Sequence, residues 1–193
     1  TSIDFNFYNG ASERDELEAM AYSFADHYRE WRDEHRGLYL WSKTAGTGKT
    51  MMACCLAQDA QNATGCSMRF ISAPSYISKV GDSFKREQGT TDESEIYRTC
   101  DLLVLDDLGS QKRGEWQDEV IFRLIDERAN KGLINIITSN MSQKDLNLSD
   151  RIVSRIMKGT IEFHFPERPV RSMKASVEHE AFKQRLIYSR NEY

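Results

Sequence analysis

The segment "GTGKT", Gly46 to Thr50, follows the apolar run "GLYLW" and opens a stretch of helix formers from Lys49 to about Asn62. A strand, a tight glycine loop and a helix in that order leave the backbone few options. The chain must leave a sheet, bend through conformations that glycine adopts freely, and set a helix N-terminus over the bend. Such a loop aims converging N–H groups at an anion, and the helix dipole adds to their pull. These residue types describe a phosphate cradle, with predicted contacts at Ala45, Gly46, Thr47, Gly48, Lys49, Thr50 and Met51. Lys49 would reach the terminal phosphates, and the Thr50 hydroxyl would face magnesium. In the pattern GxxxxGK followed by Ser or Thr, the first glycine would stand where this chain has Lys43. That departure lies upstream of every group just named, so it bears on the turn out of the strand more than on the cradle.

The remaining sequence alternates in the same way. "SMRFI", "LLVLDD", "LINIIT" and "TIEFHF" read as strands, and helices are predicted over 74–87, 115–130, "LSDRIVSRIMKG" and the tail "SVEHEAFKQRLIYSR". Leu17, Met20, Ala21, Phe24, Tyr28 and Trp31 predict a further helix over 12–34, with Ser12 and Asp15 arranged as a cap. Alternating strands and helices imply βαβ units, hence an α/β fold with a central parallel sheet of about five strands flanked by helices. Ligands of such sheets sit beyond the carboxyl ends of the strands.

Two further strand ends carry polar residues. "LLVLDDLGSQ" delivers Asp106 to the sheet edge, where a carboxylate can hold magnesium, with Asp107 beside it to orient or activate water. "IITSN" places Asn140 at the end of a strand expected between the other two, where an amide can position the lytic water without a charge to desolvate. In "SDRIVSRIMKG", Arg151 and Arg155 share a helix face. An arginine offered to a neighbouring subunit's γ-phosphate stabilises phosphoryl transfer, whereas on a solitary helix it is simply solvated.

"GTGKT", "LLVLDDLG", "IITSN", "DRIVSR" and "RPVRSMK" in this order resemble an AAA+ ATPase. More narrowly, the stretch from about Phe5 to Lys174 resembles DnaC/DnaI-type replicative helicase loaders, with IstB-type transposition ATPases related. "LDDLGSQKRGEWQDEVIFRLIDERANKG" followed by "TSNMSQKDL" carries most of that specificity. The resemblance implies ATP or ADP with Mg2+ as cofactors, held by Lys49, Thr50 and Asp106, with Asp107 where many members have glutamate. It also implies Asn140 as first sensor, Arg155 as the arginine finger acting in trans upon self-association, and Arg151 as its companion. Arg171 matches the second sensor, with Arg168 as a substitute.

A replicative hexameric helicase and single-stranded DNA are the implied partners. For DNA, "SFKREQ" and "QKRGEW" offer Phe84, Lys85, Arg86, Lys112, Arg113 and Trp116, basic groups for phosphates and aromatics for stacking. Phe84 and Trp116 equally suit the core side of amphipathic helices. The expected organisation is one AAA+ domain over 1–193, with its motifs in 35–174 and a helical tail in 175–193, and without a large helical lid. The region that grips the helicase would lie outside this chain, which begins at Thr1.

Composition narrows the alternatives. A chain of 193 residues with 39% hydrophobic content suffices for one sizeable core. It has no run of 18 apolar residues and no basic start followed by an apolar signal core, so we expect a cytoplasmic protein without a membrane partner. Cys54, Cys55, Cys66 and Cys100 form no CxxC pair and read as buried thiols. Net charge is −4, with an acid-rich start over 1–36 and a base-rich end over 151–193, which argues against a whole-surface field for nucleic acid. "ANKG" has Leu133 where a guanine-reading aspartate would stand. An alternative client is a transposase delivered to target DNA, and an alternative class is a nucleotide-binding scaffold with little hydrolysis.

Overall fold

In the computed structural model the described residues are 3–83, 94–110 and 114–186. Five strands form one sheet: β1 (Gly37–Trp41), β2 (Met68–Ser72), β3 (Leu102–Leu108), β4 (Ile134–Ser139) and β5 (Thr160–His164). Their order is β2-β3-β4-β1-β5, and every neighbouring pair runs parallel. The strand of "IITSN" thus lies between those of the glycine loop and "LLVLDD", as expected.

The helices are α1 (Arg14–Asp26), α2 (Tyr28–Asp33), α3 (Lys49–Thr64), α4 (Ala73–Ser83), α5 (Glu95–Thr99), α6 (Glu115–Asn130), α7 (Asp150–Gly159) and α8 (Val170–Leu186). Alternation along the strands splits the core into two layers. Leu38, Leu40, Leu102, Val104, Ile134 and Ile136 face α1 and α3. Tyr39, Leu103, Leu105 and Ile137 face α4, α6 and α7. Covering both faces explains why the strands read as continuous apolar runs.

Four local expectations need correction. The predicted helix over 12–34 is two helices: backbone at His27 (φ −120°, ψ 30°) ends α1 and begins α2. Phe24 and Tyr28 are both buried across the break, with Trp31 edge-on to Phe24 at 5.4 Å. Ser12 does not cap: Glu13 holds that position without a side-chain bond to the helix, and the Ser12 hydroxyl donates to Glu13 instead. The tail helix starts earlier, at Val170, because Pro169 presets the backbone at a helix start. Cys66 and Cys100 are buried, but Cys54 and Cys55 are only half-buried.

One charge lies wholly inside. Arg128 is 0% exposed, and its guanidinium donates to the Asn135 amide oxygen and to the carbonyls of Tyr97, Cys100 and Ile134 at 2.6 to 2.8 Å. Desolvation pulls its pKa down. An unpartnered buried cation would be untenable, so these acceptors are what permit it. The guanidinium thereby ties α6 to the end of α5 and the start of β4.

Candidate nucleotide site

The glycine loop spans the gap between β1 and α3, and its conformation explains its composition. Gly46 (φ 77°) and Gly48 (φ 101°) occupy the left-handed region. At Gly48 a Cβ would also lie 2.5 Å from the Tyr8 hydroxyl, which donates to the Thr47 carbonyl at 2.6 Å. Among the described residues, only His35 and Asp107 are left-handed without being glycine, so Lys43 does not need the freedom of the residue it replaces. The N–H groups of Lys43 and Thr44 instead donate to the two oxygens of the Glu167 carboxylate, at 2.8 and 2.6 Å.

Lys49 opens α3 and is only 7% exposed. Its ammonium donates to the Ser42 hydroxyl at 2.9 Å and to the Thr44 carbonyl at 3.2 Å. Desolvation lowers its pKa, against the charges of Glu167, Asp107 and Asp106. Folded back in this way, the ammonium is held by neutral oxygens that phosphate oxygens would outcompete, because an anionic acceptor adds the attraction of opposite charges to the hydrogen bond.

The acids arrive on β3. Its pairing with β4 shifts register between Leu105 and Leu108, and Asp107 within the irregularity takes φ 56°. The hydroxyls of Thr50 and Thr138 both donate to Asp106 Oδ1, at 2.7 Å each. The Thr138 hydroxyl also accepts the Asp107 N–H at 2.9 Å, and the Asn140 amide donates to Asp107 Oδ1 at 3.2 Å. One hydroxyl on β4 therefore orients two successive residues of β3. Thr50 and Asp106 make an all-oxygen donor set, which suits a hard cation such as magnesium and not a thiophilic one.

These groups line one cleft of about 580 Å³, within the range of small-molecule sites. Every nucleotide, magnesium or catalytic residue predicted from sequence lines it except Arg155: Ala45 to Met51, Asp106, Asp107, Asn140 and Arg171. Arg171 is placed by its own backbone, whose N–H donates to the Gly46 carbonyl at 2.9 Å. Val170, Lys174, Ala175 and Glu178 of α8 complete the wall.

The other predicted residues lie elsewhere. Arg155 pairs with Asp126 at 2.9 Å, beside a separate hollow of about 290 Å³ at the amino ends of β1, β4 and β5. Arg151 pairs with Glu119 at 2.6 Å and lies over the Phe122 ring. Arg168 donates to the Asn9 carbonyl and does not border the cleft. Trp116 is 43% exposed, with its ring against Gly81 of α4, while Val120, Leu124 and Ile125 take the buried side of α6. Phe84, Lys85, Arg86, Lys112 and Arg113 fall outside the described residues.

Sequence reasoning missed Tyr8, Thr138 and Glu167. Thr138 had a signal, since two residues before Asn140 on a strand is the same face of the sheet. Tyr8 and Glu167 had none, being far from the loop in sequence.

Comparison with known proteins gives the chain its family and its fold relatives. The profile of the family described as "IstB-like ATP binding protein" matches residues 1–159. The replicative helicase loader DnaC of Escherichia coli is 29% identical over 143 residues, covering 72% of this chain and 58% of that protein. The chain thus spans less than two thirds of that relative's length. A crystal structure of the DnaC helicase loader superposes with a TM-score of 0.73 at 23% identity, over 84% of this chain and 96% of that one. A replication initiator DnaA bound to AMPPCP and single-stranded DNA superposes at 0.62 and 24% identity, over 76% and 45% of the two chains. Both structures share the α/β fold of P-loop AAA+ proteins.

Proposed function

The chain belongs to the IstB-like ATP binding protein family, and from that premise we propose that it is an ATP-hydrolysing helicase loader that assembles on single-stranded DNA and helps deposit a replicative ring helicase. The observation that carries the reading is the convergence of Lys49, Thr50, Asp106, Asp107, Asn140 and Arg171 on one cleft. The DnaC relative supports the choice of client, and the DnaA neighbour, whose structure holds single-stranded DNA, supports the choice of track.

On this reading the N–H groups of Gly46 to Thr50 cradle the phosphates, and Lys49 exchanges the oxygens of Ser42 and Thr44 for phosphate oxygens. Thr50 and Asp106 would hold magnesium, which neutralises phosphate charge during transfer. Asp107 orients the attacking water and accepts its proton. The Asn140 amide fixes the Asp107 carboxylate and would lie beside the terminal phosphate. Asp107 is one methylene shorter than glutamate, which favours slow turnover.

Arg155 lies outside its own chain's cleft, which suits a role toward a neighbour's γ-phosphate. Residues 1–193 then act as one AAA+ domain, and the helicase-gripping region lies in other sequence. Trp116, with Phe84, Lys85, Lys112 and Arg113, is the proposed DNA surface. The IstB-like profile favours a second reading with the same chemistry and a transposase as client; co-purification with one client or the other decides between them.

Turnover measured with and without single-stranded DNA tests the ATPase, and Arg155→Ala tests the assembly. The substitution should abolish ATP-dependent assembly and DNA-stimulated turnover while sparing ATP binding. Unchanged assembly would refute the trans role.

A further inference from the structure

The phosphate loop is held from behind by three groups that lie outside it. Tyr8 donates to the Thr47 carbonyl, the Arg171 N–H donates to the Gly46 carbonyl, and Glu167 accepts the N–H groups of Lys43 and Thr44. Glu167 comes from the short stretch between β5 and α8, and Arg171 from the first turn of α8. That stretch is itself pinned. The Phe165 N–H donates to the Trp41 carbonyl at 2.7 Å, and the Arg168 guanidinium donates to the Asn9 carbonyl at 2.7 Å. Glu167 is also in contact with His164 Nε2 at 3.0 Å, and the other ring nitrogen of His164 approaches Glu13 at 3.1 Å. The imidazole stacks on Trp41, the last residue of β1, with centroids 4.4 Å apart.

Glu167 does not border the cleft. Its carboxylate nevertheless meets the loop at Lys43, where the chain departs from the usual glycine, and at the next residue, Thr44. It is also first among the acids whose charge favours the ammonium form of Lys49. A carboxylate taking two adjacent N–H groups fixes the direction of both peptide planes, and a bidentate, charge-assisted contact does so with little slack. Glycine at the start of such a loop leaves the turn free to adopt its course; here the course is imposed from outside.

We propose that Glu167 is a positioning residue for nucleotide binding: it sets the start of the phosphate loop at Lys43 and Thr44, and so makes phosphate affinity depend on the segment that leads into α8. The proposal rests on the reading of the cleft as an ATP site.

The test is calorimetric titration of the full chain with Mg-ATP and with adenosine, alongside thermal unfolding without nucleotide. For Glu167→Ala the expected result is an ATP affinity about tenfold weaker with adenosine affinity held near wild type, together with a lower Tm, since two charge-assisted hydrogen bonds to the loop are lost. Glu167→Gln, which keeps one acceptor for one N–H, should recover part of the loss. ATP affinity equal to wild type in Glu167→Ala overturns the proposal. So does a fall in ATP and adenosine affinity together with Tm, which would make Glu167 a fold residue only. A wild-type chain that binds no ATP refutes the ATP reading itself, a result distinct from either of the others.

Discussion

Replacing Thr138 by valine removes one hydroxyl and keeps the branched shape of the side chain. Thr138 is 2% exposed, and its hydroxyl donates to Asp106 at 2.7 Å while accepting the Asp107 N–H at 2.9 Å. Loss of a hydrogen bond to a charged group costs about 1.5–3 kcal/mol, and an N–H left without its acceptor costs about 1 kcal/mol more where water enters in part. Asp107 also sits at φ 56°, a conformation that persists only while its surroundings impose it. A destabilisation of about 3 kcal/mol corresponds to a Tm lower by roughly 6–12 °C for a chain of this size. Differential scanning calorimetry would read the shift directly, and Thr138→Ser, which restores the hydroxyl, should return most of it. Magnesium-dependent ATP affinity should fall as well, because Asp106 loses one of its two hydroxyl donors. A Tm for Thr138→Val within about 1 °C of wild type would refute the claim that this hydroxyl organises both acids.

Lys43→Gly should leave ATP affinity unchanged and lower stability by about 0.5–1 kcal/mol, because Lys43 already avoids the left-handed region and glycine only adds freedom to the unfolded chain. An affinity gain of about threefold or more, measured by titration, would contradict this, since it amounts to binding energy that the missing glycine withholds. Glu167 gives a pH prediction. Desolvation would raise its pKa, but hydrogen bonds from Thr44, His164 and the Lys43 N–H outweigh it and hold the carboxyl down at about 2. The stabilisation is present above the unfolded-state pKa and is lost as pH falls from there through about 2. Acid unfolding of Glu167→Gln should therefore be flatter in that window than wild type, and identical acid limbs would count against the contacts.

Much of this was legible before the structure, and the reasons are physical. The central strands β1, β3 and β4 lie inside a doubly covered parallel sheet, so they announce themselves as apolar runs. The loop must combine glycines at φ 77° and 101° with a lysine at a helix start, a pattern few other structures require. The acids and Asn140 sit at strand ends, where sheet topology sends ligands. What stayed hidden depends on contacts across long separations. Tyr8 reaches Thr47 from 39 residues away, and Glu167 reaches Lys43 from 124. No local periodicity encodes such a meeting. The break at His27 was invisible for another reason: the apolar spacing of a helix continues across it, so periodicity carries no sign of the turn.

The strand order carries a consequence for how the chain is made. Leu38 of β1 pairs with Ile136 of β4 on one side and with Ile161 of β5 on the other. The strand that feeds the phosphate loop is therefore translated early and flanked late. At about 5–20 residues per second, a ribosome needs roughly 6–25 s to go from β1 to β5. Until β4 is made "GLYLW" has neither neighbour, and until β5 is made it has only one, while the loop lacks the carboxylate that fixes its start. The nascent chain should acquire its nucleotide cleft in one late step, when β5 docks and brings Glu167 and Arg171 with it.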